Sequence, residues 1–262
     1  MRDTATILRN TAAASLAGCA VLTVVSVLLM PEFGGDFVDR LQAVADGGTA
    51  STVSALGFVL AQLPFAVGLV GVTHLLRDRA PVLSVLGATF AVLGGFGHAV
   101  YGGVNLTMLA MARDTANLDV HAEILAAVES GVGIPFMAMG LLGTVLGIIL
   151  LAVGLWRAQV GPRWVPPVLI AFLLTEFIGA GLSAWAGYAA GLLYLVSLLA
   201  LAVVVARTSP AAWATPTAVA RERAARAVVG GPPRDRGPTP EGPWVRRTTP
   251  APGAGISRSA AG

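Results

Sequence analysis

The chain has 262 residues, 55% hydrophobic and 12% charged, with a mean hydropathy of +0.77. A soluble domain carries about 25% charged residues, so the composition excludes a single soluble domain, a disordered chain and a disulfide scaffold and leaves a polytopic membrane protein. All 17 basic residues are arginine, which removes the lysine of a phosphate-binding P-loop and the amine of a Schiff-base site, and a lone Cys19 removes internal disulfides and paired-cysteine sites.

A helix crossing the roughly 30 Å hydrocarbon core needs about 20 apolar residues. Six runs meet this: Thr11–Met30, Val53–Leu76, Val82–Ala112, Val132–Trp156, Val165–Ala184 and Gly187–Ala206. The predicted fold is an all-α bundle of six transmembrane helices, preceded by a short charged segment over 1–10 and followed by a basic tail over 207–262.

The first run is expected to be an anchor and not a cleaved signal, because it ends in Met30-Pro31 without a small-x-small site. Within it Leu16-Ala17-Gly18-Cys19 resembles the lipobox of bacterial lipoproteins. The apolar run continues to Met30, however, so Cys19 is expected to pack inside a helix.

The link after the first span carries Glu32, Asp36, Asp39 and Asp46 against Arg40. Phe37, Leu41, Val44 and Ala45 share one helical face there, with Gly47-Gly48 as a stop. The link after the third span carries Asp114, Asp119, Glu123 and Glu129 against Arg113, with Leu118, His121, Leu125 and Val128 on one face and Gly131 as a stop. Two half-buried helices at the outer interface are predicted. They read either as plain connectors with an apolar underside or as a cap over an outward-facing cavity. Leu41–Gly47 and Leu125–Gly131 also form a faint repeat, which reads as two duplicated hairpins or as a chance match of common residues.

Span two carries Gln62 beside Pro64. Span three is about ten residues too long, so it is expected to tilt or to emerge past the outer surface. It carries Gly87, Ala91, Gly95, Ala99 and Gly103 every fourth residue, a small-residue ridge suited to close helix packing. Beside that ridge His98, Tyr101 and Asn105 make a polar stripe.

Span five holds Glu176, the one acid inside any span. Such a group costs roughly 2.5–3.5 kcal/mol at a helix centre, so it must face the bundle. Counting rise per residue puts Glu176 about 16 Å from the cytoplasmic end, Gln62 about 21 Å and His98 about 25 Å. Glu176, Gln62, His98, Tyr101 and Asn105 are therefore the candidate intramembrane polar site. His74 and His98 stand too far apart along the normal to share a haem, so no cofactor is expected, and no metal or catalytic motif is found.

Fifteen of the 17 arginines fall at one end of the predicted bundle, with only Arg40 and Arg113 at the other. The positive-inside rule makes the Arg-rich end cytoplasmic, which places both termini on the cytoplasmic side of a bacterial plasma membrane. The tail holds nine arginines against Glu222, Asp235 and Glu241. Its start suits a short helix over Thr215–Val229, with Trp213 as an interfacial anchor and the arginines on anionic lipid headgroups. Beyond Gly230 it lacks the apolar content for a core and is expected to be disordered. Nucleic-acid binding is not expected, because the arginines are dispersed without interleaved aromatics.

In hydropathy, Arg-only basic usage and short loops, Thr11–Ala206 resembles the many uncharacterised six-span integral membrane proteins of actinobacteria. That resemblance implies the bundle and carries over no activity and no site residue. Three functions fit. The first is a non-enzymatic protein that binds or passes a small solute or proton through the outer-half polar cluster. The second recruits a cytoplasmic protein partner through its tail. The third is an intramembrane enzyme using Glu176 and His98.

Overall fold

The computed structural model describes residues 2–183 and 185–213, and these are helical almost throughout. The helices are α1 (Arg2–Leu28), α2 (Phe37–Leu76), α3 (Pro81–Met111), α4 (Leu118–Ser130), α5 (Ile134–Ala158), α6 (Val165–Phe177), α7 (Ala186–Arg207) and the single-turn α8 (Pro210–Trp213). Helices α1, α2, α3, α5 and α7 are long and apolar enough to cross a membrane, and α6 is a shorter apolar helix. The fold is thus the expected all-α membrane bundle.

Two boundaries differ from the sequence reading. Helix α1 begins at Arg2, since residues 2–10 contain neither glycine nor proline to interrupt it. Helix α6 stops at Phe177 and not at Ala184. Its 13 residues span about 20 Å. A 3₁₀ turn over Gly179–Gly181 follows, where two glycines in three residues weaken helix continuation. The chain reverses before Ala186, at the expected split, and Ser183 Oγ accepts the Trp185 N–H at 3.2 Å to start α7.

The six apolar helices close a ring. Helix α1 packs on α2 and α7, α2 on α3, α3 on α5, α5 on α6, and α6 on α7. The ring has an apolar interior. Phe65, Leu69, Leu151, Leu169, Tyr194 and Leu198 surround a void of about 10 Å³, at the lower limit for one water.

The α3–α5 seam is the closest approach. Gly94 and Gly97 of α3 lie against the backbone of Gly143 and Gly140, and Ala91 lies against Gly147. The predicted ridge is therefore split. A step of four residues overshoots a helical turn by about 40°, so a four-residue stripe winds around the helix. Gly87 and Ala91 face α5, Gly95 faces α2, and Gly103 faces open space. Elsewhere in the ring leucines fill glycine hollows: Leu16 of α1 lies over Gly68 of α2, and Leu76 of α2 over Gly154 of α5. Ser26 and Ser54 hold α1 to α2 by exchanging hydrogen bonds, Ser26 Oγ to Ser54 O at 2.9 Å and Ser54 Oγ to Ser26 O at 2.8 Å. Cys19 is buried in the α1–α7 seam, its Sγ 3.2 Å from the Tyr194 hydroxyl.

At the acidic end the chain builds a cap. Asp36 starts α2 by accepting the Val38 and Asp39 N–H groups, and the Asp39 carboxylate accepts the Asp36 N–H in return. Gly48 then bends the helix at φ 51°, ψ −116°, a conformation that side chains other than glycine's hydrogen disfavour. The expected stop at Gly47-Gly48 is thus a bend between two helical segments, 37–47 and 49–76. The first segment and α4 pack on each other and on the end of α3 around Leu41, Val44, Met108, Ala112, Ala122 and Leu125. Leu41 and Leu125, which correspond in the faint repeat, are 0% and 1% exposed there. The extra length of α3 enters this cap.

At the Arg-rich end arginines cap helix C-termini, where unpaired carbonyls carry partial negative charge. Arg9 donates to Thr208 O at 3.0 Å, Arg79 to Ala158 O at 3.0 Å and Arg77 to Ala212 O at 3.2 Å. Trp213 is not the expected interfacial anchor: it is 3% exposed, stacked on His74 with ring centroids 4.6 Å apart. Gly71 leaves room for the indole, whose Nε1 donates to Thr208 Oγ1 at 2.8 Å. The expected tail helix and tail disorder fall on 214–262, outside the described residues.

Candidate functional site

The predicted polar residues divide into groups. Gln62 turns back on its own helix, its Nε2 donating to Phe58 O at 2.8 Å. The Phe58 ring stands edge-on to the His98 imidazole, with centroids 5.8 Å apart and planes at 88°. Gln62 thus meets the backbone and His98 the ring of the same residue, and His98 also lies beside Gly140 of α5. Glu176 is half-buried in the last turn of α6, a helix packed between α5 and α7, whereas Gln62 and His98 lie along the α2–α3 seam.

Tyr101 leads to a different constellation. Its hydroxyl donates to Glu129 Oε1 at 3.2 Å, and Arg40 Nη1 lies 3.5 Å from Glu129 Oε2. One carboxylate therefore engages α3 through one oxygen and the first segment of α2 through the other. The side chains of Arg40 and Glu129 are 32% and 18% exposed, so the pair is shielded more than an ordinary surface ion pair. The Arg40 guanidinium also lies over the Phe37 ring, 4.9 Å from its centroid, within cation–π range. Asn105 is half-buried one helical turn beyond Tyr101.

Below this network a small cavity of about 20 Å³ opens between α3, α4 and α5, room for one water. Val104, Val128, Phe136 and Met137 make its wall, to which Tyr101 and Glu129 add only apolar atoms. Among the described residues, Arg40 Nε and His121 Nδ1 are buried without a hydrogen-bond partner. At the start of the cap, hydrogen bonds from Asn117 and then His121 hold the Asp114 carboxyl below its usual range. A carboxylate, a phenol and a guanidinium thus bond one another beside a small apolar cavity.

Glu129 and Arg40 were not among the sequence candidates, yet both carried a signal. Glu129 follows Leu125 by four residues, so it lies beside the apolar face of its helix. Arg40 is one of two arginines that break the charge asymmetry, and it follows Phe37 by three residues on the same short helix. Comparison with protein families, with curated proteins and with solved structures finds no match to this chain.

Proposed function

We infer that this is a multi-pass membrane protein, without enzymatic activity of its own, that binds a small cationic solute at its acidic end. The observation that carries this reading is the Glu129 carboxylate, held between Tyr101 and Arg40 above an apolar cavity. The two cap segments each carry four acids against one arginine, which raises the local concentration of cations. The unpaired Arg40 Nε and His121 Nδ1 favour a cap that rearranges around a guest, since a buried polar atom without a partner costs about 1–3 kcal/mol. The apolar centre of the ring, with a void of only about 10 Å³, favours binding over passage through it. In this reading the acidic end faces outward and both termini lie in the cytoplasm, as the arginine asymmetry implies.

The test is a thermal-shift screen of the full-length, detergent-solubilised protein against small amines, inorganic cations and neutral solutes. A stabilising amine or cation is expected for the wild type, and its effect should vanish in Glu129→Gln. Glu176→Gln should retain the effect, because Glu176 lies on a helix between α5 and α7 and outside the cap. A cation effect that survives Glu129→Gln unchanged would remove this reading.

A second reading, recruitment of a cytoplasmic protein through the basic tail, is favoured by the burial of Trp213 on His74, which ties down the chain just before the tail. Truncation after Trp213 keeps that tie. Loss of cellular function with an intact bundle and intact cation binding would select recruitment.

A further inference from the structure

A concavity larger than the cap cavity lies at the opposite end of the bundle. It is a groove of about 260 Å³ where α5 gives way to α6, lined by Trp156, Gln159, Val160, Pro162, Arg163 and Pro166. Its shape follows from the link. Gln159 closes α5 in the left-handed region at φ 53°, ψ 43°, and Gly161 follows at φ 76°. Two such residues in three turn the chain sharply away from the helix axis. Gly161 then packs on Val204 of α7, where a Cβ would lie 3.1 Å from the valine methyl. Two prolines in the first turn of α6 stiffen the far wall.

The charge in this groove is one-sided. Arg163 Nη2 donates to Gln159 Oε1 at 3.1 Å, a neutral partner. Among the described residues no carboxylate stands within ion-pair distance of Arg163. The chain carries no acid between Glu129 and Glu176, while Arg157 occupies the last turn of α5. Nearby, Arg79 binds the carbonyl of Ala158. Trp156 and Trp164, both exposed, flank the link at 56% and 44%, as indoles do at the headgroup level of a membrane. A guanidinium without a counterion, beside an apolar wall and between interfacial indoles, matches an ester of phosphate: the fork of the arginine takes the phosphate oxygens and the wall takes the adjoining glycerol and upper acyl chain.

We propose that this groove is a phosphate-binding site that holds the headgroup of an anionic membrane lipid, with Arg163 as its cation and Trp156, Pro162 and Pro166 as its apolar wall. The site is independent of the cap and of the solute reading, and distinct from any lipid contact made by the tail arginines. Arg163 is exposed and bonds only its own turn, so replacing it leaves the ring intact.

The experiment uses the full-length protein, purified from mixed micelles of phosphatidylcholine and phosphatidylglycerol, with bound lipid counted by native mass spectrometry. Wild type should retain phosphatidylglycerol over phosphatidylcholine. Arg163→Gln should lower that retention about tenfold, the loss of one charge-assisted hydrogen-bonded contact, and Arg163→Lys should restore part of it. Arg113→Gln, at the acidic end, removes the same charge and should behave as wild type. Equal retention by Arg163→Gln and wild type would overturn the site. An equal fall in Arg113→Gln would reduce it to net charge. Displacement of the lipid by inorganic phosphate at matched concentration would overturn the lipid assignment in favour of a free-anion site.

Discussion

Glu129 is the residue on which the acidic end turns, because its two oxygens are engaged by two different segments. Tyr101→Phe deletes one of these bonds and should cost about 0.5–1.5 kcal/mol. Glu129→Leu removes both and leaves Arg40 under the cap without its carboxylate, so a larger loss of about 1–3 kcal/mol is expected. Thermal denaturation in detergent measures both. Tyr101→Phe combined with Glu129→Leu should fall short of additivity, since the two variants remove the same contact.

Asp114 adds a pH dependence of known sign. Its carboxyl sits below its usual range in the folded chain, so its contribution is present at neutral pH and is lost as pH falls through and below about 4. Amide protection over 114–121, taken relative to the intrinsic exchange rate at each pH, should fall in that acidic window. Asp114→Asn should flatten the change, and an identical acid response in that variant would refute the assignment.

Among the elements, the α3–α5 seam and the bend in α2 depend on glycine for different reasons. Gly97 and Gly143 lie against facing backbone, so a methyl at either must push two helices apart. Gly97→Ala or Gly143→Ala should cost about 1–3 kcal/mol. Gly103 meets nothing within 4 Å, and Gly103→Ala should be neutral or stabilising by up to about 1 kcal/mol. If all three variants behave alike in thermal denaturation, the seam is misassigned. Gly48 also has open space around its Cα, yet Gly48→Ala should destabilise by about 1–3 kcal/mol through its backbone conformation alone. The loss should appear first as faster exchange in the 37–47 segment, with the ring unaffected.

Over the whole molecule, the two ends differ in charge and in construction. Reporter fusions test the orientation proposed here. A periplasm-active reporter should work after Asp46 or Asp119 and fail after Arg79, Arg157 or Thr208. Activity at Thr208 would mean that α6 and α7 do not form a spanning hairpin, a point made sharper by the shortness of α6. Trp213→Ala should make the chain beyond Thr208 more susceptible to protease in inside-out vesicles, since the indole is what seats that segment on His74.

Composition and hydropathy alone determined the membrane bundle, its six apolar helices and the concentration of arginine at one end. These follow from local quantities: how many apolar residues occur in a row, and which charges fall between the runs. The cap helices were legible for the same reason, since Phe37–Ala45 and Leu118–Val128 show apolar residues at helical spacing bounded by glycine. Tertiary structure decided what spacing cannot express. A four-residue stripe on α3 looks continuous along the chain, but the 3.6-residue helical turn distributes it over α5, α2 and open space. Tyr101 was visible as a polar residue in an apolar run, but its partner Glu129 lies 28 positions away on another helix. Glu176 stood out for its insertion cost, yet the order of helices around the ring sets it between α5 and α7, on a different helix pair from Gln62 and His98. Helix neighbours are chosen by side-chain fit among glycine hollows and leucine knobs, and that choice exists only once the helices have met.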